Sequence, residues 1–178
     1  MSFPDLLRQY TPLSLSHEQI ATLNRHYEML VRWNAVMNLT SIRNPEKIVL
    51  RHYCESLFLA QHLPSEPLRI ADFGSGAGFP GFPVAIVRPD CAVTLVESHQ
   101  RKAVFLKEVS RGIPNLSVLS KRAEDVDQIF DWVISRAVRI DDVFAPKLAH
   151  SYAVLAGSEE NGIPLPWGKN RHLLIRST

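Results

Sequence analysis

The segment Ala71-Asp72-Phe73-Gly74-Ser75-Gly76-Ala77-Gly78-Phe79-Pro80-Gly81 restricts the possible folds more than any other stretch of this chain. It follows an apolar run with strand character, residues 68–73, and leads directly into an apolar helical run, Gly81 to Val87. A strand that turns through glycines into a helix opens a βα unit. The same texture recurs downstream. Short β-rich runs at 93–97, 116–120, 132–135 and 152–156 alternate with helical stretches at 101–111 and 141–150, and Gly112 is placed to cap the first of these. Such alternation predicts an α/β protein, a mostly parallel sheet with helices on both faces, and not an antiparallel sandwich. After Gly157 the chain becomes loop-rich, with Pro164, Pro166 and Gly168, before a last strand at 173–176.

Residues 16–63 read as helical. Ser16 and Gln19 have capping-box spacing, and Ile20, Leu23, Tyr27, Leu30, Val31 and Asn34 follow one face. Asn38-Leu39-Thr40 interrupts the pattern. A second helix starts from Asn44 as N-cap with Pro45 in its first turn, carries Val49, Tyr53, Leu57 and Ala60 on one side, and stops before Pro64. The expected organisation is an N-terminal helical extension over residues 1–65 and one catalytic domain over 66–178, since 178 residues at 46% apolar composition hold one sizeable core and not two.

Twenty Lys and Arg against 18 Asp and Glu leave a net charge of +2, too little for a global field to draw the protein to nucleic acid or membrane, so any RNA contact must be a local patch. Cys54 and Cys91 have no C-x-x-C spacing and no His at zinc-ligand spacing, which argues against a disulfide framework or structural metal, and both read as buried packing residues. Met1 to Tyr10 lacks the layout of a signal peptide, and no stretch approaches the roughly 18 uncharged apolar residues of a membrane helix. A soluble cytoplasmic protein is expected.

Glycine allows a sharp turn and a ligand's approach without a Cβ in the way, and N–H groups at a helix start offer donors to an anion. Gly76-x-Gly78-x-x-Gly81 with Glu97 downstream also satisfies a dinucleotide fingerprint. Asp72 favours S-adenosylmethionine instead: two residues before the first glycine, its carboxylate can face an amino group but would oppose a pyrophosphate. Glu97, at the end of the second strand, can accept ribose hydroxyls from either cofactor. Gly157 to Gly162 has Walker spacing but lacks the following Lys and Ser or Thr.

Trp33-Asn34 with Asn38-Leu39-Thr40, His52 with Glu55-Ser56-Leu57, the loop Gly74 to Gly81, Arg122-Ala123-Glu124 and Ser135-Arg136-Ala137 together resemble the ribosomal RNA small-subunit methyltransferase G family, also called GidB, over about residues 30–138. The resemblance implies a Rossmann-like S-adenosylmethionine-dependent methyltransferase fold and methylation of guanine N7 in 16S ribosomal RNA. It carries donor contacts to Gly74, Phe79, Ala123, Glu124 and Arg136, which join Gly76 and Glu97 from the loop reading. Ala123 and Glu124 then border the adenine, and Arg136 closes the methionine end or faces RNA. Two departures stand out. Glu55 replaces the usual Asp, and the Lys-Gly pair and helix that follow the family's fifth strand are absent after Ala156.

Guanine N7 carries a lone pair in the neutral base, so its methylation needs no general base, and no catalytic residue or metal is assigned. There is no D/N-P-P-Y/F segment and no Pro-Cys pair for other base chemistries. The expected partner is 16S ribosomal RNA or the small ribosomal subunit, met by a monomer, with no DNA and no membrane involved. Candidate phosphate contacts are Arg32, Arg43, Lys47 and Arg51 in the extension, Arg101, Lys102, Lys107 and Arg111 on one helix, and Lys121, Arg122 and Arg139 near the cofactor edge. The alternatives are a methyltransferase for a small molecule or protein, and a donor-binding, ribosome-associated protein with little activity.

Overall fold

The computed structural model describes residues 1–136, 148–157 and 162–177. Helix α1, Phe3–Tyr10, starts from a Ser2 capping box with Asp5 and buries Phe3, Leu6 and Leu7. Helix α2, His17–Met37, begins with the expected reciprocal pair: Ser16 Oγ accepts the Gln19 N–H at 3.1 Å, and the Gln19 side chain accepts the Ser16 N–H at 2.9 Å. It ends where Asn38 turns left-handed at φ 48°. Ile20, Leu23, Leu30 and Asn34 are buried as the pattern requires, but Val31 faces solvent at 49% exposure.

The second predicted helix has three parts. A turn of α-helix, α3 (Pro45–Ile48), is capped by the Asn44 side chain, a π-helical stretch covers Val49–Cys54, and α4 (Glu55–Gln61) completes it. The wider π turn breaks the 3.6-residue stripe. Six successive residues, His52 to Leu57, become buried, polar ones included.

The sheet holds β1 (Arg69–Phe73), β2 (Ala92–Val96), β3 (Leu116–Leu119), β4 (Phe130–Arg136), β5 (Ala149–Ala156), β6 (Ile163–Pro164) and β7 (His172–Ser177), in the order β3-β2-β1-β4-β5-β7-β6. The first five run parallel and β7 runs antiparallel to β5 and β6. Helices α5 (Gly81–Val87) and α6 (Gln100–Val109) follow β1 and β2. One core, containing Ile70, Leu95, Ile134 and Leu155, takes buried hydrophobic side chains from every described α-helix, so the extension shares its interior with the sheet. The alternate residues Ala71, Phe73, Val96, Val133 and Val154 form a second core on the other face.

The helix expected at 141–150 is corrected at its end. Ala149 and His150 belong to β5, paired with β4 through Phe130 and Ala149, while residues 141–147 lie outside the described residues. Strand order reverses between β1, which leads outward to β2 and β3, and β4, which leads to β5. In an open α/β sheet the ligand crevice lies at that switch point, outside the carboxyl ends of the strands.

Candidate functional site

The loop from Gly74 to Pro80 leaves β1 at this switch point, with Gly74, Gly76 and Gly78 at φ of 69°, 56° and 94°. The sequence reading expected N–H groups at the helix start to remain available to an anion; in the structure they are engaged. Gly74 and Ser75 donate to the Val96 carbonyl, Gly78 and Phe79 to the Ser75 carbonyl, Gly76 to Glu97 and Gly81 to Asp72. The loop ligates itself and its neighbours, and a carboxylate already sits at the start of α5.

The glycines divide by what surrounds them. A Cβ on Gly76 would meet nothing closer than the Gly74 carbonyl at 3.9 Å, so this glycine leaves space above the loop. A Cβ on Gly78 would lie 3.2 Å from Phe82 Cβ and 3.3 Å from His26 Nε2, and one on Gly81 only 2.4 Å from Leu95 Cδ2. These two serve close packing, whereas Gly74 is exposed and Gly76 partly so.

Asp72 is fully buried: Oδ2 accepts the Gly81 N–H at 2.8 Å, and Oδ1 has no partner. Burial pushes its carboxyl up to about 7, against the opposing Gly81 N–H. Glu97 is buried at the end of β2, where Oε2 accepts the Gly76 N–H at 2.9 Å and Oε1 the His99 N–H at 2.8 Å. Each oxygen spends one lone pair on these backbone bonds and retains another for a hydroxyl donor.

Phe79 is 1% exposed, and its ring packs edge-on to His26 and Tyr53 and stacks on His52. The ring anchors the loop to the extension and does not line an opening. The guanidinium of Arg136, at the end of β4, lies 5.2 Å above it. Arg136 donates to the Arg51 carbonyl and to His52 Nδ1. Because a guanidinium only donates, His52 Nδ1 accepts, and Nε2–H donates to Thr40 Oγ1 at 2.8 Å. The Asn34 amide in turn clamps the Thr40 backbone through both of its polar groups. Burial first, and then the adjacent Arg136, hold His52 well below the usual imidazole range. Burial brings Arg136 down to about 10 although Glu55 and Asp72 pull the other way.

Glu55, wholly buried, accepts from Arg171 Nη2 at 2.6 Å and pairs with Arg51 at 3.4 Å. The segment before β7 thus reaches the extension.

Among the predicted residues the structure brings Gly74, Gly76 and Glu97 together, and separately Phe79 with Arg136, the two groups joined by the loop itself. Ser135 Oγ donates to the Phe73 carbonyl at 2.9 Å and ties the ends of β4 and β1. Ala123 and Glu124 occupy a 3₁₀ turn after β3 on the same edge of the sheet. Glu124 is exposed and pairs with Arg122 at 3.7 Å. Of the basic candidates, Arg101 begins α6 and Lys121 and Arg122 follow β3, all at this edge. Lys107 lies in the last turn of α6 and Arg111 two residues beyond its end, about 10 Å and more from its start. Arg139 lies outside the described residues. Among those described, no group of three His, Cys, Asp or Glu is placed to hold a metal ion. No described helix is long and apolar enough to cross a membrane. Cys54 and Cys91 are free and buried.

The sequence reading missed His26 and Tyr53 as partners of the loop and Arg171 as the partner of Glu55. The aromatic and helical spacing around His26 gave a signal for burial only.

A sheet in this order with a reversed β7 and a glycine turn leaving β1 defines the class of Rossmann-like methyltransferases. The fold is similar to that of an S-adenosylmethionine-dependent methyltransferase from Aquifex aeolicus, with a TM-score of 0.54 and 16% identity over 72% of this chain and 77% of that one. It is also similar to coclaurine N-methyltransferase bound to N-methylheliamine and S-adenosylhomocysteine, with a TM-score of 0.51 and 17% identity over 88% of this chain and 56% of that one. At these identities the likeness is one of fold. The chain belongs to the GidB family, rRNA small subunit methyltransferase G, whose family model matches residues 19–152. It is 47% identical to ribosomal RNA small subunit methyltransferase G of Nitrosomonas europaea over 65% of this chain and 55% of that protein. It is 43% identical to the Chromobacterium violaceum protein of the same name over 70% of this chain and 61% of that protein. The chain therefore spans a little over half the length of these relatives.

Proposed function

We propose that this protein is an S-adenosylmethionine-dependent methyltransferase acting on N7 of a guanine in 16S ribosomal RNA, free or within the small ribosomal subunit, as a monomer in the cytoplasm and with no DNA or membrane involved. One observation carries the donor assignment: a buried carboxylate oxygen, Asp72 Oδ1, has no partner at the carboxyl end of β1, the strand from which the glycine loop leaves. An ammonium group is the chemistry that satisfies such an atom, and the donor's methionine amino group supplies one. The residues present fit the rest of the molecule. Gly74 and Gly76 admit it closely, Glu97 has lone pairs for the ribose hydroxyls, Ala123 and Glu124 border the adenine, and Arg136, above Phe79, answers the carboxylate. Membership of the GidB family supports the RNA substrate. Residues 1–65 and 66–178 are read as extension and methyltransferase domain.

The bound donor supplies an electrophilic methyl group on a sulfonium. The protein's share is positioning. Arg136 Nη1 donates to neutral acceptors, the Arg51 carbonyl and His52, while Glu55 and Asp72 also act on its charge, and its remaining N–H groups are the ones that would meet the donor's carboxylate. N7 needs no base to become nucleophilic, and holding it in line with the methyl carbon supplies the acceleration. Arg101, Lys121 and Arg122 give the edge a positive rim for phosphates.

Incubation with radiolabelled donor and unmodified 16S RNA or small subunits should yield labelled 7-methylguanine. Absence of label from both substrates, with S-adenosylhomocysteine binding intact, would remove the RNA assignment.

A further inference from the structure

We propose that His26, carried on α2 of the extension, is a positioning residue for the donor loop: its ring bridges the Tyr53 hydroxyl and the Ala77 carbonyl and pins the centre of the glycine turn. The inference rests on the donor reading above.

His26 is 1% exposed, with Nδ1 2.6 Å from Tyr53 Oη and Nε2 3.0 Å from the Ala77 carbonyl oxygen. A carbonyl only accepts, so Nε2 must carry the hydrogen. Nδ1 is then bare and accepts from the tyrosine. Both ring nitrogens are satisfied by a neutral imidazole, and burial, which brings its pKa to about 3, keeps it neutral at working pH. Aromatic neighbours fix the ring plane. Phe82 stacks on it at 4.2 Å between centroids, and Phe79, Phe105 and Tyr53 meet it edge-on.

The Ala77 carbonyl is a sensitive place to hold. Gly76 and Gly78 on either side both have positive φ, so the peptides flanking Ala77 sit between two residues with wide backbone freedom. Gly76 is fixed from below by Glu97 and Gly78 by the Ser75 carbonyl, while Ala77 is fixed from the extension. A Cβ at position 78 would come 3.3 Å from His26 Nε2, so the glycine there also makes room for the ring. The extension thereby sets the shape of a donor site to which it contributes no contact of its own through this residue.

Two double variants isolate the Nε2–H bond. His26→Gln/Tyr53→Phe keeps an amide donor for Ala77 and removes the stranded hydroxyl, whereas His26→Phe/Tyr53→Phe keeps aromatic packing and removes the donor. Hydrogen exchange over residues 74–82, calorimetric binding of S-adenosylhomocysteine, and separate KM values for donor and RNA are read on both. The Phe pair should exchange faster in the loop, bind S-adenosylhomocysteine roughly fivefold to tenfold more weakly and raise the donor KM by the same factor, with the RNA KM unmoved. The Gln pair should recover most of this. If the Phe pair does not fold, His26→Met/Tyr53→Phe takes its place. Equal loop exchange and equal affinity in the two pairs would overturn the proposal, as would equal rises in both KM values. Should the parent itself bind no S-adenosylhomocysteine while loop exchange still separates the pairs, the donor reading falls and the pinning of the loop stands.

Discussion

Asp72→Asn isolates what it costs to keep a carboxylate beneath the glycine loop. The side chain is fully buried, with one oxygen on the Gly81 N–H and the other unpaired. Burial raises its pKa from 3.8 to about 7. At about 1.4 kcal/mol per unit, a gap of about three units makes folding about 4 kcal/mol less favourable with the side chain ionised than with it protonated. The folded pKa lies above the unfolded one, so this stability is fully present below about pH 4, is lost as pH rises towards 7, and changes little beyond. Roughly 2–3 kcal/mol of the loss falls between pH 5 and pH 8. Asparagine keeps an oxygen for Gly81 and carries no charge, although its buried amide costs on the order of 1–3 kcal/mol at every pH. Urea unfolding at pH 5, 6, 7 and 8 should show the stability of the parent minus that of the variant falling by roughly 2–3 kcal/mol across the range. His26, whose depressed pKa removes stability below about pH 6.5, is common to both and cancels. Saturating S-adenosylhomocysteine should shrink the parent's loss by giving the ionised carboxylate an ammonium partner. A difference that stays constant from pH 5 to pH 8 would refute the claim that Asp72 is protonated in the folded core at low pH and strained above it.

Four further substitutions test the site and the packing around it. Gly81→Ala places a methyl 2.4 Å from Leu95 Cδ2 and 2.7 Å from Asp72, so thermal unfolding should reveal a loss of about 1–3 kcal/mol. Gly112→Ala, at φ 80° with nothing within 4 Å, should cost only the left-handed strain of about 1–2 kcal/mol. Arg171→Met leaves the buried Glu55 with Arg51 alone and should cost about 3–5 kcal/mol in denaturant unfolding, while Glu55→Gln in the same chain recovers part of it. Gly74→Asp, at an exposed φ of 69°, should weaken S-adenosylhomocysteine binding in calorimetry while circular dichroism stays that of the parent.

Patterns confined to one turn or one strand were legible in the sequence. Ser16 with Gln19 and Asn44 with Pro45 marked helix starts because capping is a contact over three or four residues. The glycine turn after β1 was legible for the same reason, and with it the class of fold. Helix α1 escaped notice because eight residues with three buried positions complete too few periods to stand out. The availability of the loop N–H groups was misjudged because their acceptors, Val96, Glu97 and Asp72, are set by strand packing.

The sequence by itself determined that the chain alternates strands and helices, where its glycine turn lies and which family it resembles, since each depends on neighbouring residues or on ordered motifs. Tertiary structure alone decided the rest. A strand's pattern is blind to direction, so only hydrogen bonding to β5 could reverse β7. His26 meets Ala77 across 51 positions and Arg171 meets Glu55 across 116, and no local periodicity encodes a contact between groups whose only relation is that folding buries them side by side.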